Sequence, residues 1–241
     1  RALEEDGLEL YIQPQVAMED GRLLGAEALL RWNDEVLGPV APDEFVPVAE
    51  HRGLIGQLGQ WVIGRACTQL HEWERDGLRL PGRLAINISP RQFDDRGFAR
   101  RLVGQLEACG LSPQRLDLEL TESGLMADPD ESLATLGTLR EAGFSLSLDD
   151  FGMGYSSLAQ LKGFPLDRLK LDRTFVRGML EHRHDYAIVV ATLAMASSLD
   201  LELIAEGVET RAQADALLNL GCRRAQGFLF DPALPASRFA A

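Results

Sequence analysis

LDLELTESGLMADPDESLATLGTLREAGFSLSLDD (116–150) contains one complete strand–helix–strand repeat. Its first apolar run, LDLELTES (116–123), delivers Glu119 and Glu122. Pro129–Ala142 follows with helical composition, Gly143 suits the helix stop, and SLSLDD (145–150) ends on Asp149 and Asp150. The pattern continues in both directions. Upstream, LAINIS (84–89) delivers Asn87; downstream, RLKLD (168–172) carries Lys170 and Asp172, LELIAEGVE (201–209) carries Glu206 and Glu209, and RAQGFLF (224–230) carries Gln226. Further helices are expected over Arg91–Ala108, Arg173–Leu199 with an interruption near His182, and Arg211–Leu220. Short strands that alternate with helices and end in polar side chains describe a β/α barrel with its site at the strand C-termini.

The N-terminal part departs from that repeat. LELYIQPQV (8–16) and LLGAEALLRW (23–32) are strand-like and joined by AMEDGR, in which Asp20-Gly21 is a hairpin signal. The first two strands are therefore expected to be antiparallel, the second bringing Glu27 to the site. A helix is expected over 58–77, where Leu58, Trp61, Val62, Arg65, Ala66, Leu70 and Trp73 recur at three–four spacing before Gly77.

With 241 residues, 46% of them hydrophobic, the chain can bury the core of one barrel domain, and no linker or repeat divides it. Lys plus Arg number 24 against 37 Asp plus Glu, a formal charge of −13. Polymeric nucleic acid rewards basic surfaces, so it is not an expected partner. Cys67, Cys109 and Cys222 are odd in number and lack CxxC spacing, which reads as reduced packing or surface thiols in a reducing compartment. YAIVVATLAMA (186–196) is too short to span a bilayer, and no membrane contact by this domain is expected. The opening RALEEDGLEL reads as the end of a helix cut from a longer protein.

Oxygen ligands converging at strand ends repel one another unless divalent cations sit between them, and a site without clustered His or Cys favours Mg²⁺ or Mn²⁺ over zinc. Two neighbouring aspartates can serve one site only where the strand ends and the backbone turns. Taken alone, Asp149-Asp150 also suits a helix cap and turn, Lys170 an outward-facing lysine, and Arg31 a surface ion pair. Beside carboxylates, Lys170 could orient a water or neutralise a phosphoryl oxygen, and Arg31 could offer phosphate a bidentate fork. His182 and His184 read as solvated.

QPQV, EALLRW, PDEFVPVAE, GLI, NISPRQF, LELTES, DDFGMGYSSL, LKLDRTFV, AEGVET and AQGFLF occur in the order and spacing of the EAL-domain family of cyclic di-GMP phosphodiesterases, which the chain resembles over nearly its whole length. The resemblance implies a modified (β/α)8 barrel with one antiparallel strand near the N-terminus, and a single EAL domain over 1–241 excised from a larger signalling protein. It implies hydrolysis of one phosphodiester of cyclic di-GMP to linear pGpG, with two Mg²⁺ or Mn²⁺ ions per active site. By resemblance, Glu27, Asn87, Glu119 and Asp149 hold one metal, and Asp149 bridges to a second shared with Asp150 and Glu206. Lys170 would contact the hydrolytic water or a phosphate oxygen. Gln13, Arg31, Glu209 and Gln226, with Asp150 beside them, look like substrate contacts, and Glu122 like the residue steadying the loop Asp150–Ser157. A homodimer and a cytoplasmic setting, within a parent protein that can itself be membrane-anchored, are family expectations. The alternative is a catalytically silent cyclic di-GMP-binding sensor module, but such modules typically lose the EAL glutamate or the paired aspartates, both kept here. Two positions depart from the family: Met153 stands where a small hydroxyl residue is usual, and FDPALP lacks a basic residue before its Pro-Leu-Pro-like end.

Overall fold

The computed structural model describes residues 2–3, 7–152 and 161–239. Met153 and the rest of the loop through Ser157 lie outside the described residues. The hairpin forms as its sequence requires. Strands β1 (Leu8–Ala17) and β2 (Leu23–Asp34) pair antiparallel, with Gly21 at φ 71° in the turn. A short β3 (Gly38–Val40) extends β2, and the sequence pattern gave no sign of it.

From β4 (Leu84–Ile88) the strands are parallel: β5 (Leu116–Thr121), β6 (Ser145–Phe151), β7 (Arg168–Leu171), β8 (Glu202–Ala205) and β9 (Arg224–Ala225). β2 pairs with β4 and the series runs in order to β9, which pairs antiparallel with β1. The eight strands β1, β2 and β4–β9 thus close on themselves, with β1 antiparallel to both neighbours. β10 (Leu234–Pro235) adds to β1 from the C-terminal side.

The helices differ from expectation in detail. α1 (Pro42–His51) forms where the sequence pattern predicts no helix, and it contains Pro47. α2 (Ile55–Arg75) begins a turn earlier than its apolar spacing marks, because Ile55 is itself buried. The single helix expected over Arg91–Ala108 is two, α3 (Pro90–Phe93) and α4 (Phe98–Cys109). The break has a local cause: Asp95 Oδ1 accepts from Gly97 N, a side-chain turn that competes with helix. α5 (Glu122–Ala127) and α6 (Pro129–Ala142) follow β5, Thr121 and Asp128 capping them. α7 (Arg173–Gly178) and α8 (Arg183–Ser198) are separated at His182, as the sequence suggests, and α9 (Arg211–Asn219) starts with a Thr210–Gln213 capping box. The run 224–230 is strand only over Arg224–Ala225, so Gln226 follows the strand.

The alternation within the strands decides what faces inward. Leu116, Leu118, Leu120, Leu146, Leu148, Leu169 and Leu171 are buried in the main apolar core. The intervening Asp117, Glu119, Ser147 and Lys170 are equally buried but polar. Asp117 pairs with Arg168 and Glu119 with Lys170, although β6 lies between β5 and β7. Such contacts can only cross the lumen. The leucines therefore meet the helical layer, and the barrel interior is charged.

Candidate active site

Lys170 stands at the centre of the C-terminal end of the barrel with 1% of its surface exposed. Its ammonium lies 2.7 Å from Glu119 Oε2, 2.7 Å from Glu206 Oε1, 3.3 Å from Asp149 Oδ2 and 3.5 Å from Glu27 Oε2. These come from β7, β5, β6, β2 and the residue following β8. A buried ammonium requires partners, and here four strand ends supply them.

The supporting amides come from the same layer. Asn87 Nδ2 donates to Glu27 Oε1 at 2.7 Å, and Gln226 Nε2 to Glu27 Oε2 at 2.5 Å and to Gln13 Oε1 at 3.0 Å. Gln13 Nε2 donates to the Asp231 carbonyl. Gln226 can take this place because Gly227 follows: a Cβ there would meet Val208 O at 2.2 Å, and Val208 N donates to Gln226 O. Asp150 adopts φ 54° and the β6–β7 register shifts between Leu148 and Phe151, so the backbone turns where two adjacent carboxylates must share one rim. Asp149 Oδ1 accepts from Asp150 N. Glu122 is buried and its Oε2 accepts from Gly152 N at 3.3 Å, at the start of the loop that follows β6.

Charge does not balance in this layer. Glu27, Glu119, Asp149, Asp150 and Glu206 face one lysine. The consequences appear in the proton affinities. Burial, then repulsion from Glu27 and Asp149, raises Glu119 well above the usual carboxylate range despite Lys170. Burial pushes Glu206 up to about 8, again with Asp149 and Glu27 adding to it. Asp150 is raised by burial and by Asp149 and Asp172. Glu27 goes the other way: burial opposes its charge, but Lys170 and the Gln226 and Asn87 hydrogen bonds hold it below its ordinary value. Lys170 is raised well above the ordinary lysine value, because the carboxylates outweigh its burial.

The residues suit an oxygen-coordinated cation. Glu119 Oε1 and Gln226 Oε1 are buried without a hydrogen-bond partner, and the donor set contains no His or Cys. Among the described residues no three acidic, His or Cys side chains already form a closed cage; the lysine takes the central place.

The EAL domain description matches residues 1–233. The chain belongs to the EAL domain family. It is 43% identical over its full length to the bifunctional diguanylate cyclase/cyclic di-GMP phosphodiesterase MucR of Pseudomonas aeruginosa, covering 35% of that protein. It is 42% identical, over 98% of its length, to cyclic di-GMP phosphodiesterase NbdA of the same organism, covering 30% of that protein. The chain thus spans about a third of these curated relatives. Among solved structures, the MucR phosphodiesterase in complex with c-di-GMP superposes with a TM-score of 0.94 at 43% identity, over 98% of this chain and 96% of that one.

In this EAL domain the remaining expected substrate contacts make local interactions of their own. Arg31 is half-buried, its guanidinium 5.6 Å over the Tyr11 ring, with Nη1 donating to Leu30 O. Glu209 is exposed, its backbone N–H held by Gln213 Oε1. Asp172 turns to another task and caps α7 by accepting from Thr174 N.

A second charged layer, not expected from the strand-end residues, lies within the barrel. Asp117 accepts from Ser147 Oγ at 2.7 Å and Arg168 at 2.9 Å; Glu202 accepts from Arg168 and Arg224. Its signal was present in LDLEL, SLSLD and RLKL, where every second residue is polar one pleat below Glu119, Asp149 and Lys170. Tyr11, under Arg31, was also missed.

Proposed function

We propose that this EAL domain hydrolyses one phosphodiester bond of cyclic di-GMP to linear pGpG, using two divalent cations, Mg²⁺ or Mn²⁺. The observation that carries the reading is the set of Glu27, Glu119, Asp149 and Glu206 around the buried Lys170, in a chain 43% identical to a phosphodiesterase solved in complex with c-di-GMP. Glu27, Asn87, Glu119 and Asp149 would hold one ion; Asp149, Asp150 and Glu206 the other. Asn87 already donates its nitrogen to Glu27, which leaves its oxygen for a cation. When bound, such ions would neutralise the carboxylates, acidify the nucleophilic water and stabilise charge at the phosphate.

The protein's own groups do the rest. Lys170, anchored on Glu119 and Glu206, holds a fixed positive charge where a phosphoryl oxygen or the attacking water would lie. Tyr11 steadies Arg31, which suits a non-bridging phosphate oxygen. Gln13, Gln226, Asp150 and Glu209 are assigned to the substrate, and Glu122 to the backbone of the loop after β6. Of these, Asp150 and Glu209 are exposed, whereas Gln13 and Gln226 are buried.

We assign the domain a homodimeric, cytoplasmic setting within a larger signalling protein. α8 supports the dimer: Tyr186 and Val190 are 42% and 39% exposed, and Ala187, Ala191 and Ala194 extend that uncharged face. Among the described residues no helix is long and apolar enough to cross a membrane.

The test is incubation of the purified chain with cyclic di-GMP and Mg²⁺ or Mn²⁺, following pGpG by chromatography. Product formation that is lost in Glu27→Gln supports the proposal. Tight binding without product under either ion would favour the silent sensor module instead.

A further inference from the structure

Between the corner of α1 and α2 and the later pair α3 and α4, the surface opens into a cavity of about 350 Å³. Small-molecule sites run from roughly 300 to 1,000 Å³. Ile55, Ile63, Phe98 and Leu102 supply its apolar wall. None of the groups around Lys170 borders it. Its polar groups are unequally engaged. Glu50 Oε1 accepts from Ser89 Oγ, while Asp95 accepts from Gly97 N and pairs with Arg101. Three donor groups on the cavity are left over. Among the described residues Arg91 has no carboxylate partner, and its one hydrogen bond runs from Nη1 to Glu50 O at 3.1 Å. Gln92 is 8% exposed; its Oε1 accepts from Ser89 N, and among the described residues its Nε2 has no acceptor. Gly59 admits that amide beside α2, since a Cβ there would overlap Gln92 Nε2. The first turn of α2, with Ile55 and Gly56 on the cavity, has neither a side-chain cap nor an acidic residue, so its leading N–H groups keep their partial positive charge.

We propose that this cavity binds a small organic monoanion, a carboxylate carried on an aromatic or branched apolar body. The uncommitted groups are all donors and one is a full cation, which calls for an acceptor of single negative charge. The planar fork of Arg91 matches the two oxygens of a carboxylate. A doubly charged phosphate would meet stronger repulsion from Glu50 and Asp95 on the same rim. The apolar wall takes the body of the ligand, and the buried Gln92 amide fixes its orientation, because a donor enclosed without an acceptor gains most from one that arrives.

The test titrates the purified chain with indole-3-acetate, 3-phenylpropionate and 4-methylpentanoate, and with their uncharged amides, by calorimetry and by ¹H–¹⁵N NMR. It involves no turnover, so its outcome is separate from that of the proposed hydrolysis. At least one acid is expected to bind with one-to-one stoichiometry and to shift amide signals of α2 and α4, its amide binding about tenfold more weakly or worse. Arg91→Gln should weaken the acid by about tenfold and leave the amide unchanged. Gly56 borders the cavity and a Cβ there meets nothing within 4 Å, so Gly56→Met should fill the space and abolish binding without lowering the melting temperature. The proposal is overturned if no acid binds, if acid and amide bind alike, or if binding survives Gly56→Met with the shifts confined to the strand ends around Lys170.

Discussion

Replacing Lys170 with methionine keeps most of the side-chain volume and removes only the charge. The ammonium makes contacts at 2.7, 2.7, 3.3 and 3.5 Å. At an effective dielectric near 20, each of the two shortest is a gross attraction of about 6 kcal/mol, and the longer pair about 5 kcal/mol each. Desolvation of the ions offsets most of that sum, and removing one partner of a buried pair costs about 3–5 kcal/mol in practice. The loss must depend on pH, because it is the loss of a counter-charge to carboxylates. Without Lys170 the folded-state pKa values of Glu119 and Glu206 rise further above their unfolded value of about 4.3. A raised pKa favours the fold below the unfolded value and ceases to do so as pH climbs through the folded value. Lys170→Met is thus expected to cost less than about 1 kcal/mol at pH 4.5 and about 3–5 kcal/mol at pH 9, measured by urea unfolding in chelator. Saturating Mg²⁺ at pH 9 should restore part of the difference. An equal loss at both pH values, or one under about 1 kcal/mol at pH 9, would refute the counter-charge role.

Cation binding should displace protons: Glu206 holds one up to about pH 8, so Mg²⁺ should bind more tightly at pH 9 than at pH 7, with proton uptake by a weak buffer measurable during calorimetry. Arg31→Lys retains the charge but loses the planar fork over Tyr11; a KM raised about tenfold with kcat little changed is expected from initial rates. Asp117→Ala leaves Arg168 with only Glu202 and should cost about 3–5 kcal/mol in denaturant melts, whereas the Asp117→Ala/Arg168→Met double variant should recover much of it.

The barrel was legible because its repeat is written in periodicity: apolar runs a helix apart, with Asp20-Gly21 announcing the one reversed strand. The strand-end residues were legible for the same reason, since Glu119, Asp149 and Lys170 occupy the polar register of alternating strands, and Glu27 is the acid within an otherwise apolar run. What escaped was set by tertiary packing. Nothing local distinguishes an inward Lys170 from an outward one; only closure of the sheet brings Glu119 across to it. The break between α3 and α4 depends on an Asp95 side-chain turn competing with a sequence that otherwise continues as helix. Asp117 lies between leucines that mark a buried strand and Arg168 opens one beside Leu169, and burial of such a charge becomes tolerable only when its partner arrives from two strands away.

This placement of charge also explains how so acidic a chain can host an anionic ligand. The lower layer is closer to balance: Asp117 and Glu202 are met by Arg168 and Arg224 and need no further cation. One pleat higher, five carboxylates share a single lysine, and Glu119 and Glu206 answer by holding on to protons. The excess is therefore confined to the end of the barrel where substrate would enter, on rigid strand ends that cannot swing away from one another. Protons relieve it one carboxylate at a time and bring no oxygens together. A divalent cation relieves it more fully, satisfying several oxygens at once and presenting positive charge outward to a phosphate. Lys170 and retained protons thus hold these carboxylates together, and cations bound there would take over the protons' part while offering positive charge to a phosphate.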